Sequence, residues 1–191
     1  MRKSLLALLL AAPAVRAQEA AIHPAAWQVA AAVTPLPDEL RAGAEVLGYS
    51  PARKLVTLRA GTNDMICLAP DPAVKDFHSA CYHRGMEPFM ARGRELRAEG
   101  VKGAQVDSVR FREVAGGKLK MPSSAAMLYQ IFGGTFDDAT GKVSGGQWLF
   151  VTYIPFATPA TTGLSAKPSA KTPWIMFPGT PKAHIMFSVG M

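Results

Sequence analysis

The sequence predicts an α+β fold: a single domain with an antiparallel sheet and a few short helices. Three observations lead there. Residues 45–69 hold three short runs of aliphatic and β-branched residues, separated by turn sequences. Residues 87–99 carry apolar positions at helical spacing, between a proline-led start and a glycine stop. The last third returns to strand-like runs, at 127–136, 148–156 and 174–189, joined by glycine- and proline-rich turns.

Taken in order, residues 1–17 read as a signal peptide. Arg2 and Lys3 supply a positive start, and Leu5 to Ala12 an apolar run too short to span a membrane. Val15-Arg16-Ala17 offers small residues where a signal peptidase reads. Cleavage is expected after Ala17. No cysteine stands at that site, so no lipid anchor and no stable membrane attachment are expected afterwards.

Residues 18–44 are rich in alanine and proline. Pro24 suits a helix start, and a helix to Val33 would carry Trp27. Pro35 and Pro37 stop it, with one further turn at 38–42. The runs 45–49, 54–59 and 65–69 then read as an antiparallel meander, turned by Ser50-Pro51-Ala52-Arg53 and Gly61-Thr62-Asn63-Asp64.

In the helix at 87–99, Pro88 occupies a first-turn position whose amide would have no partner. Glu87 complements the dipole, and Gly100 ends the helix. Residues 106–114 read as a strand before a Gly116-Gly117 turn. A polar hairpin loop at 137–146 joins two strands. Residues 157–173 form a long loop of Pro, Thr, Ser, Ala and Lys, and a closing hairpin turns at Pro178-Gly179-Thr180-Pro181. On the last strand His184, Met186 and Ser188 share the less apolar face.

The formal charge is +7. Arg2, Lys3 and Arg16 leave with the signal, so much of the basicity belongs to targeting. Arg92, Arg94 and Arg97 cluster on the helix and read as a solvated face. Without a basic stripe interleaved with aromatics, a nucleic-acid partner is not expected.

The stretch CYHRGMEPFM at 81–90 comes nearest to chemistry. Cys67 and Cys81 are the only cysteines, and in an oxidising compartment such a pair is expected to form a disulfide. His83, Met86 and Met90 suit a soft metal, copper or zinc, if one helix runs through them. Pro88 argues against that continuity. A triad of His78, His83 and His184 is the alternative metal site, for a carrier or a metal-dependent hydrolase. Cys81 with His83 could form a catalytic dyad only as a free thiolate. Asp137-Asp138 lacks the ligand pattern of a calcium loop, and Gly141-Lys142 fails the phosphate-loop motif at both flanks. No nucleophile elbow occurs.

The segments LRAGTNDMICLAPDP (58–72), MEPFMARGRELRAEG (86–100) and PWIMFPGTPKAHIMF (173–187) together resemble an uncharacterised family of exported bacterial proteins. The resemblance implies one domain spanning all three segments. It carries no activity, cofactor or catalytic residue. The expectation is therefore a periplasmic or secreted, non-catalytic protein that binds a small molecule or a protein partner.

Overall fold

The computed structural model describes residues 21–188. The predicted signal peptide, the first residues of the 18–44 segment and Val189 lie outside that range.

Helices α1 (Ala25–Ala32) and α2 (Asp38–Arg41) precede four strands, β1 (Glu45–Tyr49), β2 (Leu55–Arg59), β3 (Met65–Leu68) and β4 (His78–His83). A 3-10 turn (Arg84–Met86) leads into α3 (Glu87–Ala98), followed by α4 (Ala104–Ala115). The remainder is β5 (Ala126–Phe132), β6 (Thr135–Asp137), β7 (Lys142–Ser144), β8 (Gln147–Tyr153), α5 (Pro159–Thr162), β9 (Trp174–Met176) and β10 (His184–Ser188). Eight strands form one sheet in the order β2-β1-β3-β4-β5-β8-β10-β9, and β6-β7 is a separate small hairpin. The α+β expectation holds, with a larger sheet than the strand runs suggested.

The alternation of side chains across the strands builds two cores. On one face, Val46, Met65, Cys67 and Cys81 pack beneath Ala32, Val33 and Leu36 of the N-terminal segment. On the other, Ile66, Tyr82, Leu128, Val151 and Tyr153 pack with Met86 and Phe89, and Phe111 and Val114 of α4 join them. The sheet centre is therefore covered on both sides, and Ile66 and Tyr82 are almost wholly buried.

The meander expected over 45–69 is corrected. β1 and β2 form the antiparallel hairpin, but β3 pairs with β1, and in parallel. The chain leaves β2, crosses the start of β1 and comes down on its far side. Gly61 permits the crossing: a Cβ there would stand 2.8 Å from the Glu45 amide nitrogen. The amides of Thr62 and Asn63 donate to the Gly43 carbonyl and hold the crossing in place.

The strand expected at 106–114 is also corrected, because those residues lie in α4. Its β-branched valines are overridden by packing against α3. Arg110 lies with its guanidinium carbon 3.8 Å above the Phe89 ring and donates to the Phe89 carbonyl. Gly93 makes the space, since a Cβ at that position would come within 2.8 Å of an Arg110 nitrogen.

The arginines of α3 do not form a merely solvated face. Arg92 bridges Glu113, Glu95 and Glu99, joining α3 to α4. Arg94 donates to the Tyr82 hydroxyl at 2.7 Å and to Glu87 at 2.6 Å, while Tyr82 donates to the other Glu87 oxygen. Arg97 reaches back to the Gly93 carbonyl. Part of the 157–173 loop is ordered by a capping box, in which Thr158 and Thr161 exchange bonds at the start of α5.

Candidate functional site

An opening sits where β1 and β3 end and β4 begins. It is a cleft of about 750 Å³, within the range of small-molecule sites. His23, Trp27, Tyr49, Phe77 and Phe136 supply its rings, and residues 70–76 form one rim.

Each ring is placed by local chemistry. Gln28 is buried in α1 and bonds the Tyr49 backbone twice: its Nε2 donates to the carbonyl, and its Oε1 accepts from the amide. Its Nε2 also donates to the His23 carbonyl. One glutamine thus fixes the helix start, the end of β1 and the chain entering α1. His23 stacks on Trp27 with centroids 3.6 Å apart. Phe136, brought over by the β6-β7 hairpin, meets Trp27 edge-on at 5.3 Å and lies parallel to Phe77 at 6.1 Å.

Carboxylates stand behind and beside the rings. The Trp27 indole N–H donates to Asp138. The adjoining turn is set by Asp137, which accepts from the Ala139 and Thr140 amides. The Ala139 amide is the main reason the Asp137 carboxyl titrates below its ordinary range. Burial first, then the Asp71 charge, push the Tyr49 phenol up to about 12. Asp71 also accepts from the Ala73 amide and so shapes the rim. Asp76, Arg53 and Lys75 complete the charged lining.

The residues singled out from the sequence lie mostly elsewhere. Cys67 and Cys81 face each other across β3 and β4, with Cα atoms 4.0 Å apart and the sulfurs joined in a disulfide. Both are fully buried, so the Cys81–His83 dyad has no free thiol. His78 is exposed, stacks on Phe132 and contacts Gln130. It borders a smaller cleft that shares Phe77 and Asp76 with the main one. His83 sits at the other end of β4, where its Nδ1 accepts from the Gly85 amide.

His184 lies on a strand three places away from β4 in the sheet, roughly 14 Å at ordinary strand spacing. The histidine triad is not assembled, and no group of three or more His, Cys, Asp or Glu able to hold a metal occurs among the described residues. Met86 and Met90 pack in the hydrophobic core, and the break at the 3-10 turn separates them from His83.

His184 is also on the packed face of its strand, not on a less apolar one. It is 5 % exposed, against the rings of Tyr153 and Phe177. Burial pulls its pKa down, and Nδ1 is 2.7 Å from the Lys182 carbonyl, to which the neutral ring donates. Close by, Asp107 joins Arg110 and Lys182. Burial alone would raise the Asp107 pKa, but hydrogen bonds from Lys182 and Arg110 outweigh it and hold the carboxyl below its usual range.

Sequence reasoning missed the cleft residues. The available signal was positional: ring-bearing residues beside the breaks at Pro24, Pro70-Asp71-Pro72 and Gly133-Gly134. Comparison of the chain with protein-family models, with curated proteins and with solved structures gave no match.

Proposed function

We propose that the chain is an exported, non-catalytic protein that binds a small ligand in the aromatic cleft. The observation carrying this reading is a cleft of about 750 Å³ whose rings are already fixed by hydrogen bonds and stacking. Half-buried aromatic surface held in place by the protein's own bonds and stacking is the arrangement that binds at low ordering cost. The cleft is concave and of small-molecule size, which favours a small ligand over a protein partner. Export is supported by the N-terminal pattern, by the resemblance to exported bacterial proteins and by the buried disulfide. No described helix is long and apolar enough to cross a membrane.

A thermal-shift screen against a small-metabolite library tests the binding reading. Ligands of the cleft raise the Tm of the wild type and not of Phe136→Ala. If every hit stabilises both proteins equally, or none stabilises the wild type, the cleft is not the binding site. Export has its own test. Protein recovered from the periplasm or medium begins after Ala17 and shows no free thiol when denatured without reductant. Two reactive thiols there would refute the oxidised pair.

A further inference from the structure

We infer that the ligand of the aromatic cleft is an organic ammonium cation, of the quaternary or methylated kind. This rests on the binding reading and adds the sign of the ligand's charge. The ionic lining does not decide that sign, because Asp71 and Asp76 are balanced by Arg53 and Lys75. The rings decide it. An aromatic face is the negative pole of its quadrupole, so it attracts cations and repels anions. Three carbocyclic side chains and an indole line one cavity. The indole donates its N–H to a carboxylate, Trp27 to Asp138, and the Asp71 charge acts on the Tyr49 phenol. A ring whose N–H or O–H leans on an anion gains electron density, because hydrogen-bonded groups polarise one another. The Trp27 ring is therefore made more attractive to a positive charge and less attractive to a negative one. A compact ammonium with its charge spread over methyl groups also loses little hydration on entering such a site.

Calorimetric titration of the full-length chain with four probes tests the inference: tetramethylammonium, choline, the neutral carbon isostere of choline, and pivalate. Choline is expected to bind at least about tenfold more tightly than its neutral isostere, and pivalate more weakly than either. Asp138→Asn keeps an acceptor for the indole but removes its charge. This variant is expected to weaken choline binding several-fold while leaving the neutral isostere unchanged, which a loss of structure would not do. Equal binding of choline and its isostere, or a preference for pivalate, overturns the inference and leaves the cleft as a binding site of another class. Absence of binding by both cations also overturns it. The library screen with Phe136→Ala then decides separately whether the cleft binds anything.

Discussion

The two ends of the sheet use similar residues in opposite ways. At the end near His184, charged groups meet partners: Asp107 lies between Arg110 and Lys182, and Arg94 donates to Tyr82 and Glu87. Of the aromatic rings there, Phe89 and Tyr82 are almost wholly buried, while Phe177 beside His184 is exposed. At the end near Trp27 the rings stack on one another but stay half-exposed, and Asp138 accepts from the Trp27 indole. The first end has spent its polar groups on holding α3 and α4 to the sheet. The second has fixed its side chains and left their surfaces open. On the proposed reading, a dense cluster of titratable residues is a poor guide to a site in this molecule, and a loosely covered cluster of rings is a better one.

Substitutions that separate stability from binding sharpen this contrast. Phe89→Ala removes the ring under Arg110 and leaves a cavity between α3 and the sheet. It is expected to lower the unfolding free energy by about 3–5 kcal/mol, measured by urea denaturation. Gly93→Ala forces Arg110 off that ring and is expected to cost about 1–3 kcal/mol in the same measurement. An unchanged midpoint would mean that α3 and α4 can separate freely, and the closed end would not be closed. At the open end Phe136→Ala is expected to cost only about 1 kcal/mol while abolishing ligand-induced stabilisation. A loss as large as that of Phe89→Ala would make the two ends alike.

The smallest effect is in the pH dependence. Burial keeps the folded His184 neutral below the pH at which the unfolded chain takes up its proton, about 6.5. Its contribution is fully present above that value. It is lost as pH falls from there toward the lower folded pKa, because the unfolded state binds the extra proton. His184→Asn preserves a donor for the Lys182 carbonyl and cannot titrate. The variant is expected to lose less stability than wild type between about pH 7.5 and pH 5.5. Parallel curves would show that the imidazole is reached by water in the folded state.

Much of the fold could be read from local chemistry. α3 starts at Glu87 with Pro88 in its first turn, and the closing hairpin turns at the Pro178–Pro181 segment, as their residues dictate. Strand β4 was not legible as a strand, since HSACYH is buried on both faces and shows no alternation of polarity. α4 was misread because valines at 106, 109 and 114 suggest a strand when the partner helix is unknown. The parallel β1-β3 pair depends on Gly61 crossing another segment, which no local pattern announces. The cleft was least legible of all. Its rings come from four separate stretches and meet only because Gln28 and the β6-β7 hairpin bring them together.

The disulfide between Cys67 and Cys81 has a consequence for the cleft's durability. The two cysteines are 14 apart in sequence, and the rim at 70–77 lies wholly within the ring they close. A protease that nicks this rim leaves both new ends tethered to adjacent inner strands. Such a clipped molecule would run as one band until reduced, and would keep Tyr49, Trp27 and Phe136 where they were.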